Sequence, residues 1–391
     1  MYDIIVVGAG PAGSYSAYLC SKAGMSTLLL ERERLPRRKC CAGGVLERAL
    51  RKLDFPVPEG IVEREIRGAA ICVGGQRNEI RFGSRVAVTV RRERFDRFLA
   101  LRAEEQGALL LQERRVLQAR ESEGRVEVST EADTYEAKCL ILADGVNSKL
   151  AEGLMGSYSQ KRFASGMSFN CGLEGQPDDL MEFHFYPEDG ERRRSPPMYG
   201  YGWMFPTDHG ANIGAGGGGL AKATILAKAL EIEASCATRY GPVTWREGMA
   251  GHPLPLFVRR RLHSPRCMAV GDAGGLANPI TGEGMTYAFV SASMAASCAT
   301  RLVRDGDGGA TASYERMARE AVVRDLDAAR VIQRAIRAVL GTLRMERFFD
   351  AFCASEELSA ACQGIVQGEC DWTSLLKRAL PRVPSLYFRS V

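Results

Sequence analysis

Three acidic residues, each at or just past the end of a short apolar run, mark where this chain could do chemistry. They are Glu31 after TLLL, Asp144 after LILA, and Asp272 after CMAVG. Glu31 answers a glycine pattern, Gly8-Ala9-Gly10-Pro11-Ala12-Gly13, which follows the apolar run 3–7 and opens a helical stretch closing near Gly24. In such a pattern the first glycine permits the tight turn and the second lets a pyrophosphate approach the backbone. The third lets helix and strand pack closely, while the open helix N-terminus attracts the phosphates. An acid at the end of the following strand accepts from a ribose hydroxyl. Gly8, Gly10, Ala12, Gly13, Glu31 and the adjoining Arg32 are therefore predicted to bind a dinucleotide. The motif alone does not say which one. Two further segments carry reactive or aromatic side chains: Lys39-Cys40-Cys41-Ala42-Gly43-Gly44 and Tyr201-Gly202-Trp203-Met204-Phe205-Pro206.

The elements that must position these residues can be read in order. A strand, a helix and a second strand open the chain. Residues 32–39 form a basic, turn-rich connection, and a short helix is predicted over 45–53. Residues 66–90 alternate in strand fashion about Gly74-Gly75, residues 92–107 return to helical spacing, and 109–116, 126–130 and 138–142 are strand-like. Asn147 and Ser148 are placed to cap a helix. Residues 163–217 are again strand-like, 221–237 helical, 243–256 turn-rich, and 267–270 a last short strand. A long apolar helix runs from the Gly282-Glu283-Gly284-Met285 turn to about Arg304, and helix-forming sequence follows from 313 to about 380. We expect two interleaved domains.

The 391 residues, 46% hydrophobic and 25% charged, fit an ordinary folded protein with a large core. A net charge of +5 is slight for this length and argues against a nucleic-acid partner. No run of eighteen apolar residues occurs and the first strand begins at once, so neither a membrane span nor a signal peptide is expected. That places the protein in the cytoplasm, with its twelve scattered cysteines reduced. Cys353, Cys362 and Cys370 are too widely spaced for an iron–sulfur run, and with four histidines no metal site is expected.

Taken together, GAGPAG with Glu31, the LILADG turn and AVGDAGGLANPITGEGM resemble the flavoprotein family that includes para-hydroxybenzoate hydroxylase and the geranylgeranyl reductases. The resemblance implies an α/β fold in which a Rossmann-type FAD-binding domain (1–62, 91–162, 261–310) interleaves with an antiparallel-sheet substrate domain (63–90, 163–260). A C-terminal helical region (311–391) completes it. It implies FAD as cofactor, with Asp144, Gly145 and Gly271 in its site and Asp272 on a ribityl hydroxyl. Gly282, Gly284 and Met285 would pass beside the isoalloxazine ring, and the helix they open would favour the reduced anion with its positive end. Arg92 would lie near the phosphates and Val116 near the adenine. YGWMFP, trailed by Gly214-Ala215-Gly216, resembles the motif of the geranylgeranyl reductase branch, and KCCAGG resembles that branch's K-P-C-G-G-G, with Cys40 for proline and Ala42 for glycine. Gly43 and Gly44 then fall beside the flavin and Cys41 on the family cysteine.

The chemistry implied is saturation of isoprenoid double bonds by hydride from reduced flavin and a proton. Tyr201 and Trp203 are the expected catalytic ring faces, with Cys41 as proton donor. Phe205, Pro206, Gly214 and Gly216 would line the prenyl chain. NADPH or a reduced carrier of ferredoxin type would supply electrons, there being no second dinucleotide-binding unit. Arg37-Arg38, Arg192-Arg193-Arg194 and Arg259-Arg260-Arg261 are read either as solvated charge or as contacts for a phosphate head group or a membrane surface. Plainer readings stand beside the sharper ones: an aromatic core strand for YGWMFP, a packed thiol for Cys41, a solvated helix start for Arg92. The competing functions are a monooxygenase on the same fold, a halogenase, which would carry W-x-W-x-I-P in place of YGWMFP, and an electron-transfer flavoprotein.

Overall fold

The computed structural model describes residues 1–158, 163–186, 200–340, 349–350, 353 and 355–379. By packing the chain divides into two units, Met1–Arg38 with Glu93–Arg162 and Leu254–Leu326, and Lys39–Arg92 with Phe163–Pro253 and Asp327–Val391. In chain order the elements are β1 (Tyr2–Val7), α1 (Pro11–Lys22) and β2 (Thr27–Leu30), then β3 (Gly44–Leu46), α2 (Glu47–Leu50), β4 (Val62–Ile66), β5 (Gly68–Val73), β6 (Gln76–Arg81) and β7 (Ala87–Val90). Next come α3 (Arg92–Glu105), β8 (Leu109–Leu111), β9 (Val116–Ser122), β10 (Arg125–Thr130), β11 (Thr134–Leu142) and α4 (Lys149–Met155). They are followed by β12 (Phe163–Leu173), β13 (Leu180–Phe185), β14 (Gly200–Thr207), β15 (Gly210–Gly218), α5 (Lys222–Tyr240), β16 (Val243–Arg246) and β17 (Ala250–Pro255). The last are β18 (Cys267–Ala269), α6 (Gly271–Gly274), α7 (Met285–Arg304), α8 (Ala310–Ala318), a π-helical turn (Arg319–Val323), α9 (Arg324–Leu340), and helices Glu356–Gln367 and Trp372–Ala379.

The first unit is built on a sheet ordered β8-β2-β1-β11-β10-β9. Strands β8, β2, β1 and β11 are parallel, with Ile4 opposite Thr27 and Cys139. The nine-residue β11 has a divided edge: its first half pairs antiparallel with β10, its second half parallel with β18. Covered on both faces, the central strands are continuously apolar rather than alternating. Ile5, Val7, Leu28, Leu30, Leu140 and Leu142 pack with α4 on one face. On the helical side α1 meets α7, where the Tyr15 and Phe289 rings stand edge to face at 5.5 Å.

The second unit carries a large sheet ordered β16-β12-β15-β14-β13-β5-β6, with β17 also on β12, and a small sheet β3-β7-β4. One face of the large sheet is covered by α5, whose Ala229, Ile232 and Cys236 pack on Phe169, Met204 and Ile213. Pairing register sets the other face in three rows across six strands. They read Gly166-Gly216-Tyr201-Phe185-Val73-Gln76, then Ser168-Gly214-Trp203-Phe183-Ile71-Asn78, then Asn170-Asn212-Phe205-Met181-Ala69-Ile80.

Three local expectations differ from the observed elements, each because of tertiary pairing. Residues 45–53 hold one short helix, since Gly44–Leu46 is drawn into a strand opposite β7; residues 39–62 thereby pack with the second unit. The turn-rich stretch 243–256 contains β16 and β17, held by β12. Residues 311–326 pack with the first unit, where the buried Tyr314 hydroxyl donates to the Ala269 carbonyl at 2.6 Å. The stretch 66–90, the hairpin at Gly74-Gly75, the Ser148 cap on α4 and the run of α7 to Arg304 are as the sequence predicts. Among the described residues no helix is long and apolar enough to cross a membrane.

Candidate cofactor edge and aromatic face

In the first unit the parallel register brings the carboxyl ends of β2, β1, β11 and β18 to one edge, where open α/β sheets take ligands. Glu31, Gly8, Asp144 and Asp272 follow those ends directly. Close main-chain approaches tie the turns together. A Cβ on Gly8 would lie 2.4 Å from the Ala143 carbonyl oxygen, and one on Gly13 only 1.8 Å from the Gly8 oxygen. A Cβ on Gly271 would meet that of Ala12 at 3.0 Å, and one on Gly284 would meet Asp272 Oδ1 at 3.3 Å. Helix α1 begins at Gly10 with no side-chain cap and no acid in its first turn, so its amino end offers positive charge to an anion. The Glu31 carboxylate, 3% exposed, accepts from the Ala9 N–H at 2.8 Å. Asp144 Oδ1 is enclosed without a hydrogen-bond partner, and burial pushes this carboxyl up to about 6 against the pull of the Ser148 hydroxyl and the Arg259 and Arg32 charges.

The second unit presents a different kind of surface. Trp203 lies over glycine: a Cβ on Gly214 would sit 2.4 Å from indole Cζ2. Tyr201 and Trp203 meet edge to face at 6.1 Å, and Phe183 stands 5.7 Å from Tyr201 and 5.5 Å from Phe205. Phe185 and Phe349 stack at 4.6 Å beyond them. The KCCAGG turn lies against these rings, since a Cβ on Gly44 would come within 2.9 Å of Phe205 and of the Met181 methyl. Gly43 has φ +82° and a Cβ there would strike the Val90 oxygen, so the turn demands glycine at both places. Cys41 is half-buried, its sulfur accepting from the Gly43 N–H at 3.5 Å. Burial, and then the neighbouring Cys41 thiol, push the Tyr201 hydroxyl well above its usual range. The Cys40 thiol donates to the Ala250 carbonyl at 3.1 Å, faces Ser168 at 3.6 Å and is raised by burial. Pro206 contributes its carbonyl to the Thr89 hydroxyl at 2.7 Å, and Gly216 lets β12 approach, as a Cβ there would lie 2.8 Å from the Ser165 oxygen.

Comparison with known proteins bears on both surfaces. Residues 1–177 match the FAD binding domain family. A digeranylgeranylglycerophospholipid reductase of Methanopyrus kandleri is 31% identical over 79% of this chain and 83% of its own length. The chain belongs to the geranylgeranyl reductase family of FAD-dependent oxidoreductases. A menaquinone reductase of Mycolicibacterium smegmatis, in the same range, is 28% identical over 76% of each chain. The fold is shared with a geranylgeranyl bacteriochlorophyll reductase-like protein of Thermoplasma acidophilum, at a TM-score of 0.78 and 22% identity over 96% of this chain and 98% of that one.

The edge of this geranylgeranyl reductase family member fits FAD. The uncapped start of α1 suits a pyrophosphate, Glu31 a ribose, and the partnerless Asp144 oxygen and Asp272 the sugar and ribityl hydroxyls. Val116 opens β9 two residues after Arg114, whose N–H donates to the Glu31 carbonyl at 2.8 Å. Arg92 opens α3 and is half-buried, and Arg32 is exposed beside Glu33. The guanidinium beside the glycine turn belongs instead to Arg37, which reaches Glu31 Oε1 at 3.5 Å and Asp96 Oδ2 at 3.2 Å, with Nη2 3.9 Å from a Cβ on Gly10. The sequence offers Arg37 as solvated charge or as a contact for a head group or membrane surface, not as part of the glycine turn. Two adjacent arginines in a basic loop hide which one turns inward. At α7 the Thr286 N–H donates to Glu283 Oε1 at 2.6 Å, so a carboxylate shares the helix end that the sequence left open.

Other clusters resolve into structure. Arg259 is 2% exposed and donates to the carbonyls of Ala273, Gly156 and Ser148, so it is an internal clamp and offers nothing to a head group. Arg192, Arg193 and Arg194, like Leu343, Phe348 and Phe352 of the helical region, lie outside the described residues. On the α5 side of the large sheet, Cys72, Glu182 and His184 converge within 4.8 Å. Arg77 and Arg239 both reach the Glu182 carboxylate and, with the His184 hydrogen bond, hold it below its usual range although burial raises it. The positive charge that a metal would bring is already supplied there by two guanidinium groups.

Proposed function

We propose that this protein saturates carbon–carbon double bonds of a geranylgeranyl or other isoprenoid chain. The observation that carries the reading is the Trp203, Tyr201, Phe205 and Phe183 wall with Cys41 and Gly44 against it. When FAD is bound and reduced, the chemistry it would supply is a hydride for one alkene carbon. An unactivated alkene must take a proton on its other carbon, and positive charge develops at the more substituted of the two. Ring faces favour that charge without themselves bringing a counter-ion, by about 0.5–2 kcal/mol each when water is excluded. Cys41 delivers the proton to that other carbon and is left as a thiolate, which regains a proton from solvent before the next turnover; until the transfer its thiol brings no charge into the apolar wall. Phe205, Gly214 and Gly216 shape the floor on which the chain lies, whereas Pro206, one residue on from Phe205, alternates to the α5 side with Met204 and Ala211. Glu31, Arg37, Asp144 and Asp272 hold the cofactor, with Gly282, Gly284 and Met285 beside its ring. NADPH or a ferredoxin-type carrier supplies electrons, and the lipid is drawn from a membrane surface by peripheral contact from the cytoplasmic side. Domain roles follow: the first unit binds FAD and the second the substrate.

The test is to reduce the flavin without oxygen and add a geranylgeranyl lipid. Return of the oxidised flavin spectrum with a gain of two hydrogens per double bond is expected. A flavin that stays reduced with every prenyl compound, with NADPH oxidation and substrate oxygenation appearing in air, would establish a monooxygenase instead.

A further inference from the structure

The Trp203 indole N–H donates to Asn212 Oδ1 at 2.9 Å, and Asn212 Nδ2 donates to Asn170 Oδ1 at 2.9 Å. Asn170 Nδ2 in turn donates to Glu247 Oε2 at 3.0 Å, and Glu247 Oε1 accepts from Arg91 Nη1 at 2.8 Å. Arg91 Nε reaches Glu63 Oε1 at 3.2 Å. The direction of this chain is forced from both ends. An indole nitrogen can only donate and a carboxylate can only accept, so each of the two amides has a single orientation that satisfies both neighbours. Strand register explains why they meet, for Asn170 and Asn212 are directly paired on β12 and β15, in the row next to Trp203.

Gly214 puts no side chain beneath Trp203, so on that face the ring's tilt is set by the edge contact with Tyr201 and by the bond to Asn212. Every donor in the chain also points toward the carboxylate, which polarises the indole N–H bond and enriches the ring face in electron density.

We propose that Asn212 is a positioning residue that fixes and polarises Trp203, through Asn170 and Glu247, for stabilising positive charge on the substrate. The stabilising half rests on the reductase reading above; the fixing half does not. Protein labelled with nitrogen-15 in its three tryptophans gives three indole resonances, and Trp203→Phe identifies one of them. In Asn212→Leu that resonance moves upfield and its proton exchanges about tenfold faster, the scale of one lost hydrogen bond. Turnover of a geranylgeranyl lipid, as kcat, drops about tenfold with KM within about twofold. Asn212→Asp keeps an acceptor for the indole and restores the exchange rate to within about threefold, although it lacks the donor to Asn170 Oδ1. Asn170→Leu shifts the same resonance by less and serves if Asn212→Leu does not fold.

An unmoved resonance with unchanged exchange in both leucine variants overturns the proposal. A moved resonance with unaltered kcat overturns the role in the reaction. If the unmodified protein reduces no prenyl lipid, the reductase reading fails, and resonance and exchange alone decide whether Asn212 fixes the ring.

Discussion

The two surfaces are built by different means. At the cofactor edge the groups presented are main-chain atoms at four strand ends together with the Glu31, Asp144 and Asp272 carboxylates, made accessible by glycines such as Gly8 and Gly13 whose Cβ atoms would collide with neighbouring backbone. On the aromatic face they are side chains aligned by register across six strands, with glycines serving as space for a ring. A main-chain site is written in contiguous sequence and tolerates almost nothing at its glycines. A register-built face is dispersed through the chain and fails by degrees.

Gly13→Val should break the first surface outright, because its Cβ would sit 1.8 Å from the Gly8 oxygen and neither atom belongs to a flexible side chain. We expect protein purified without flavin, read from the absorbance ratio of flavin to protein. Trp203→Ala should leave flavin content unchanged and lower prenyl reduction by about a hundredfold, which corresponds to about 3 kcal/mol of transition-state stabilisation. Loss of flavin in that variant would erase the contrast. The smallest effect is at Asp144. Its unfolded pKa is about 3.9, and its folded value is raised to about 6. Between those values the folded state holds the extra proton, so stability falls as pH rises through the window and the cost is complete above it. Asp144→Asn should therefore stabilise deflavinated protein above pH 6 by on the order of 2 kcal/mol and leave it unchanged near pH 4, as checked by thermal melts across that range.

Legibility in the sequence followed the same division. GAGPAG, LILADG and GDAGG are contiguous, each sits between an apolar strand and a turn, and the edge they form could be assembled from local signals. YGWMFP was legible as an aromatic strand, with Gly214 only as part of the glycine pattern that trails it; that Gly214 stands opposite Trp203 is visible only in the pairing of β14 with β15. The Trp203-Asn212-Asn170-Glu247 chain was not, because it depends on which residue of β12 stands opposite which residue of β15, and a one-residue slip of β12 would send Asn170 to the α5 side, away from Asn212. Arg37 was missed for a related reason. Its role depends on Asp96, fifty-nine positions away, lying buried where the loop folds back. The strands at 243–246 and 250–255 gave no period of their own and exist because β12 offers them an edge. The carboxylate at the start of α7 could have been suspected, since Glu283 stands just before the helix and can reach forward to the open Thr286 N–H.

The divided edge of β11 has a consequence for how the molecule is made. Its second half waits for β18, which is specified only after every strand of the second unit has been translated. At about 5–20 residues per second, the interval between the two segments is roughly 6–25 s. Throughout that time a nascent apolar strand would present unsatisfied main-chain groups to solvent, beside the turn that carries Asp144. A ribosome-bound chaperone or an early-arriving flavin would act in that window, and synonymous codon changes that slow translation of residues 143–266 would lengthen it without altering one residue of the finished protein.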